Sequence, residues 1–290
     1  CPMSRLQTIG FSLVFFVILT GGNCSRARVE SMTHMNAGVA AARTGRYADA
    51  KESLERAIAL DATNDQAFFN LAIVHMEMSE WEVAEEHLSR AISVNPAPAG
   101  YHEKLGTVRM QLEAWDRAKE AFEAAIAADA NLFKANFKLA QCLERLDDPH
   151  GALVNYTQSA RRGPRFIEAY IALGRLYADQ GFPDLAIRVL RSGLDVAIPR
   201  TDEQAQLYHI LGTIQQEQGN HAAAVESYRA ALDILPGMPD ALFSIGWTYA
   251  LMDNREEAIR YLELYVAGAG ANAPEHYVRA AQTKLTQLQL

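Results

Sequence analysis

Residues 65–98 read DQAFFNLAIVHMEMSEWEVAEEHLSRAISVNPAP, and the frame they set returns every 34 residues. Within it, Phe68, Leu71, Ala72 and His75 fall at helical spacing, as do Val83, Ala84, Leu88, Ala91 and Ile92. Met78-Ser79-Glu80 separates the two runs, and Pro96 closes the frame. Two short amphipathic helices joined by a tight turn cannot bury their apolar faces alone. Repetition of the pair solves that problem, because each hairpin covers its neighbour. Small residues such as Ala72 and Ala84 mark where the two helices approach closely.

The frame fits 31–64 (Ala37-Gly38, Gly45, Tyr47, Ala50, Leu54, Ala57) and 99–132 (Leu105-Gly106, Trp115, Ala118, Phe122, Ala125). It continues through 133–166 (Leu139-Ala140, Ala152, Tyr156, Pro164) and 167–200 (Tyr170, Leu173-Gly174, Gly181, Ala186, Leu190). After four extra residues it resumes at 205–238 (Leu211-Gly212, Gly219, Ala224, Tyr228, Pro236) and 239–272 (Ile245-Gly246, Tyr249, Ala258, Leu262). In period and in these positions the chain resembles the tetratricopeptide repeat (TPR) family over seven repeats. The resemblance implies an all-α fold, an α-α solenoid wound as a right-handed superhelix.

Composition agrees with a packed protein: 49% of residues are hydrophobic and 21% charged. The formal charge of −8 argues against general binding of nucleic acid through its phosphates. Cys1, Cys24 and Cys142 are too few and too scattered for a disulfide framework or a metal cluster. Cys142 reads as a small apolar residue of a first helix.

Cys1 and Pro2 precede Met3, which reads as the natural start, and whether the first two residues are native stays open. Residues 9–20 (IGFSLVFFVILT) form an apolar core behind Arg5. It is shorter than the roughly 20 residues a bilayer span needs and has the length of an export-signal core. Cys24 follows, and the arrangement is similar to that of bacterial lipoproteins, in which such a cysteine is lipidated. Gly21 and Asn23 depart from the usual residues before that cysteine. The expectation is therefore a signal over 1–24 with Cys24 as lipid anchor and a polar tether over 25–30; ordinary cleavage, an uncleaved anchor, or an apolar helix packed on the first repeat stay open. That places the protein on the periplasmic side of a bacterial envelope, with a cytoplasmic location as the alternative.

Further on, Gly45, Gly181 and Gly219 suit a left-handed turn between paired helices, where Ser79, Glu113, Asp147 and Asp253 are poorer substitutes. Pro149 and Pro183 suit the first turn of a second helix. The insertion 201–204 predicts that the next helix starts early and gains about a turn, with Thr201 or Asp202 as cap. Residues 273–290 predict a cap helix with Tyr277, Ala281, Leu285 and Leu288 on its apolar stripe and Pro274 at its first position.

No phosphate loop, zinc-protease motif, nucleophile elbow or paired-cysteine metal motif occurs, so no enzyme, cofactor or metal is expected. Glu85-Glu86 and Glu256-Glu257 read as solvated outer faces, Arg161, Arg162 and Arg165 as a solvated loop, and His34 and His75 as packed or solvated histidines. In TPR proteins the first helices line a concave groove, mainly through positions 2, 5, 9 and 12. The resemblance therefore implies a peptide groove lined by Met32, Met35, Val39, Phe69, Ile73, Met76, Met110, Phe137, Phe243 and Trp247. Asn36 and Asn70 stand at position 6, where some family members run an asparagine ladder; Lys104 and Lys138 follow them. The family's carboxylate clamp wants Lys at position 5 and Asn at position 9 of the first repeat, which here are Met35 and Val39.

These features imply a non-enzymatic scaffold that binds an apolar peptide or helix of an envelope partner. The architecture of signal, cysteine and repeat array resembles type IV pilus secretin pilotins, and other envelope TPR lipoproteins fit it equally. The alternatives are the recognition part of a larger enzyme, such as a glycosyltransferase, or a cytosolic assembly factor.

Overall fold

The computed structural model describes residues 26–268 and 274–290, and every regular element among them is an α-helix. The described residues divide into two compact units, one ending at Asp147 and the other spanning Asp148–Leu290. The first holds α1 (26–43), α2 (Tyr47–Leu60), α3 (Asp65–Glu77), α4 (Trp81–Val94), α5 (Ala99–Gln111), α6 (Trp115–Ala128) and α7 (Phe133–Arg145). The second holds α8 (Pro149–Arg162), α9 (Ile167–Asp179), α10 (Pro183–Val196), α11 (Asp202–Glu217), α12 (His221–Ile234), α13 (Pro239–Leu251), α14 (Arg255–Gly268) and α15 (Glu275–Gln289).

Each hairpin closes by matching a small residue with a large one sixteen positions later. A Cβ on Gly106 would lie 2.7 Å from Phe122, and one on Gly212 would lie 2.7 Å from Tyr228. Only glycine lets those backbones sit so near the partner ring. Leu54, Leu88, Phe122, Leu190, Tyr228 and Leu262 are all buried at the large position. Burying such a side chain contributes about 1.5–3 kcal/mol each. Ala50, Ala84, Ala118, Ala152, Ala186, Ala224 and Ala258 are fully buried where the second helices need a narrow face.

The turns follow the same economy. Gly45, Gly181 and Gly219 adopt φ of 73°, 80° and 76°, and Ser79, Glu113, Asp147 and Asp253 take the same left-handed conformation at 55–59°. Outside glycine that conformation costs on the order of 1–2 kcal/mol, so four turns hold strain that three avoid. Pro149 and Pro183 occupy the first position of α8 and α10. α11 has 16 residues where α9 and α13 have 13, and Thr201 caps it by accepting from the Gln204 amide.

Two boundaries differ from the sequence expectation. Residues 26–30, expected as part of a tether, are helical and form the start of α1. No glycine or proline interrupts them, and Arg26 pairs with Glu30 one turn on at 2.9 Å. α15 begins at Glu275, with Pro274 as its N-cap rather than its first residue. Its Ala281, Val278, Leu285 and Leu288 pack with Leu242, Leu262 and Tyr265, so α15 covers the last repeat. The signal segment and Cys24 lie outside the described residues.

Candidate functional site

In the N-terminal unit the first helices α1, α3, α5 and α7 carry the candidate surface. A cavity of about 410 Å³ opens between α1 and α3. Val39, Ala42, Tyr47, Leu54, Ile73 and Val74 give it apolar walls, while Arg43, Asn70 and Glu77 bring polar groups to it. The side-chain amide of Asn70 donates to the Gln66 carbonyl at 2.7 Å, within its own helix. Position 12 of the repeat explains the space: it is Ala42 in repeat one, against Met76 and Met110 in the next two.

Farther along the same face the character changes. Lys104 and Lys138 take position 6, and Lys134 takes position 2 of repeat four. Lys138 is half-buried, and its Nζ donates to Thr107 Oγ1 at 2.7 Å. Burial lowers its pKa; Glu103 opposes that shift, and Lys104 and Lys134 add to it.

In the C-terminal unit several polar side chains of the first helices bond to one another or to the second helices. His209 Nε2 lies 3.2 Å from Ser244 Oγ, and the hydroxyls of Tyr228 and Thr248 both donate to Gln216 Oε1, at 3.0 and 2.6 Å. Ser227 donates to Gln215 Oε1 at 2.7 Å. Phe243 stacks on Trp247 and meets Tyr265 and Tyr277 edge-on, with ring centroids 5.1–5.6 Å apart. Lys284 of α15 sits 5.6 Å from the Trp247 ring centre. A shallow cleft of about 700 Å³ runs between Trp247 and α15, bordered by Glu275, His276, Arg279 and Lys284.

The expected groove residues therefore fall into separate groups. Val39, Asn70 and Ile73 border the cavity together. Met32 (51% exposed) and Asn36 are exposed on α1, apart from it. Met110 and Phe137 are half-buried on α5 and α7. Met35 is only 7% exposed and packs among Leu54, Ala57, Ala67 and Leu71, so it belongs to the core rather than to a groove. Phe69 stacks on Tyr101 of the next repeat at 4.6 Å, and Met76 leans on the core around Leu88 and Leu105. Phe243 is enclosed by aromatic rings of α14 and α15. The physical reason is common to Met35, Phe69 and Phe243: position 5 points at the neighbouring helices, and packing uses it first.

Sequence reasoning missed Tyr47, Ala42, Arg43 and Glu77 at the cavity; the small residue at position 12 was the available signal. It also read Glu85 as solvated. Its carboxylate instead accepts from Arg109 at 2.8 Å and Arg117 at 3.1 Å, tying repeat two to repeat three. His75 is buried (3% exposed), with Nδ1 against Glu80 Oε2 and its ring stacked on His87 at 5.3 Å. Cys142 is buried, and burial pushes its thiol up to about 11, as befits an inert packing residue. Among the described residues no group of three or more His, Cys, Asp or Glu could hold a metal ion, and no helix is long and apolar enough to cross a membrane.

Comparison with known proteins decides the family. Models of the tetratricopeptide repeat match residues 41–105, 103–165, 165–237 and 211–274. The chain belongs to the tetratricopeptide repeat family. No curated protein matches it. Among solved TPR-like structures, MamA superposes with a TM-score of 0.55 at 21% identity, covering 58% of this chain and 91% of that one. MamA residues 41 to the end from Desulfovibrio magneticus RS-1 give 0.54 at 13% identity, covering 58% and 94%. YrrB, described as a TPR protein with an unusual peptide-binding site, gives 0.54 at 23% identity, covering 66% and 97%. At such identities the likeness concerns the fold.

Proposed function

We propose that this TPR chain is a non-enzymatic scaffold that holds an apolar peptide or helix of a partner protein on the inner face of its N-terminal unit. TPR domains are in general modules for protein–protein contact. The observation that carries the reading here is the cavity between α1 and α3, with Val39, Ile73 and Tyr47 on its walls. A cavity with apolar walls and a few polar groups has the composition of a binding site. The peptide-binding site in the name of the YrrB structure supports it by analogy of fold. Binding would draw on burial of apolar area, at roughly 25 cal/mol per Å² before association costs.

An Ile73→Glu change puts a carboxylate beside the cavity and is expected to abolish binding of an apolar probe peptide, while Thr213→Glu in the C-terminal unit leaves it intact. Circular dichroism on both variants checks that the helices persist. Equal binding by the two variants would sink the assignment.

Export and lipid anchoring at Cys24, with a place on the periplasmic side of a bacterial envelope, form part of the same proposal and rest on the sequence of residues 5–24. Lipid labelling and fractionation of the Cys24→Ala variant test that part: anchoring predicts loss of label and release from membranes. A Cys24→Ala protein that stays in the membrane fraction contradicts it. An envelope partner, such as the secretin served by pilotins, is the expected class.

A further inference from the structure

This inference rests on the groove reading and adds the chemistry of the bound segment. Positions 6 and 9 of the first helices, which supply Asn70, Val39 and Ile73 to the cavity, become Lys104 and Thr107 in repeat three and Lys138 in repeat four. Lys134 stands one turn before Lys138 on α7. Three ammonium groups thus occupy the α5–α7 part of the inner face, in a chain whose formal charge is −8.

Lys138 is the telling member. It is half-buried, its hydrogen bond goes to the neutral hydroxyl of Thr107, and it makes no ion pair among the described residues. Glu103 is the carboxylate whose field reaches it most strongly, and Lys104 and Lys134 work against it. A partly desolvated cation among like charges is stabilised by an anion brought from outside. Half-buried Met110 and Phe137 lie on the same two helices and add apolar area among these polar groups.

We infer that the segment held by the N-terminal unit is amphipathic and acidic, with apolar side chains toward the α1–α3 cavity and Glu or Asp side chains paired with Lys104, Lys134 and Lys138. The lysines then fix direction and register, because only one orientation brings the carboxylates over α5 and α7. The carboxylates belong to side chains, so a free C-terminus is not required.

The test uses fluorescein-labelled peptides of alternating leucine and glutamate, or leucine and glutamine, both amidated at the C-terminus, with inorganic polyphosphate as an unrelated anion. The glutamate peptide is expected to bind about tenfold more tightly than the glutamine peptide, as one or two partly exposed ion pairs would give. A Lys104→Gln, Lys138→Gln double variant is expected to remove that advantage and leave the glutamine peptide unchanged. Lys134→Gln, at an exposed position, guards against a folding effect at Lys138. Equal affinity for the two peptides, or an advantage that survives the lysine changes, overturns the inference while the glutamine peptide's own binding still upholds the groove. Lysine-dependent binding of polyphosphate without preference for the glutamate peptide also overturns it. If neither peptide binds, both the inference and the groove reading fall.

Discussion

At position 9 of the repeat, the N-terminal unit carries Val39 and Ile73 beside an open cavity, followed by Thr107 and Gln141, while the C-terminal unit carries Arg175, Thr213 and Trp247. The hairpins beneath are the same. Gly106 fits against Phe122 in one unit as Gly212 fits against Tyr228 in the other, and buried alanines recur at the same place in each second helix. What differs is whether the inner face satisfies itself. In the C-terminal unit Gln216, Thr248, Tyr228, His209 and Ser244 spend their polar groups on one another, and α15 takes up Phe243. In the N-terminal unit apolar walls stay open, and Lys138 bonds the neutral hydroxyl of Thr107 without an ion pair among the described residues. Packing dictates the positions between helices, and the inward-facing positions differ more from repeat to repeat.

The shared scaffold gives the largest expected effect. Phe122→Ala and Tyr228→Ala each remove a buried ring and should cost about 3–5 kcal/mol, read as loss of stability in urea unfolding. A tolerant Phe122 beside a critical Tyr228 would break the equivalence of the two units. Tyr228→Phe sharpens the contrast. It keeps the ring and deletes the bond to Gln216, so it should cost about 1 kcal/mol, a loss with no counterpart at Phe122.

The turns come next. Gly219→Ala places a side chain at φ 76° and should cost about 1–2 kcal/mol. Glu113→Gly relieves the same strain but frees the unfolded chain, and should gain roughly 0.5 kcal/mol. Opposite signs at equivalent turns are the outcome to check by thermal unfolding.

The smallest effect is in pH. Burial holds the pKa of His87, in the N-terminal unit, and of His209, in the C-terminal unit, below the ordinary histidine value of 6.5. The unfolded chain then binds the proton more readily than the folded one. Stability is therefore full above about pH 6.5 and falls as pH drops toward the folded-state values. His87→Gln and His209→Gln should each flatten part of that slope in unfolding measured from pH 7 downward.

How much of this could be read from the chain depends on what each residue answers to. The hairpins were legible because the small and large residues recur at fixed spacing, and the extra turn of α11 because 201–204 lengthens the connection and Thr201 can cap. Of the expected groove residues, Val39, Asn70 and Ile73 border one cavity and Trp247 borders the cleft beside α15. Met35, Phe69 and Phe243 look like ligand-facing residues in one dimension, yet each meets a neighbouring helix that the sequence alone does not place beside it. Glu85 looked solvated because its two arginine partners lie 24 and 32 residues away.

The most direct test of the central claim is a methyl-labelled NMR titration with the leucine–glutamine peptide. The account predicts shifts at Val39 and Ile73, and none at Thr213 or Thr248. Shifts confined to Thr213 and Thr248, or spread evenly over both units, would contradict it.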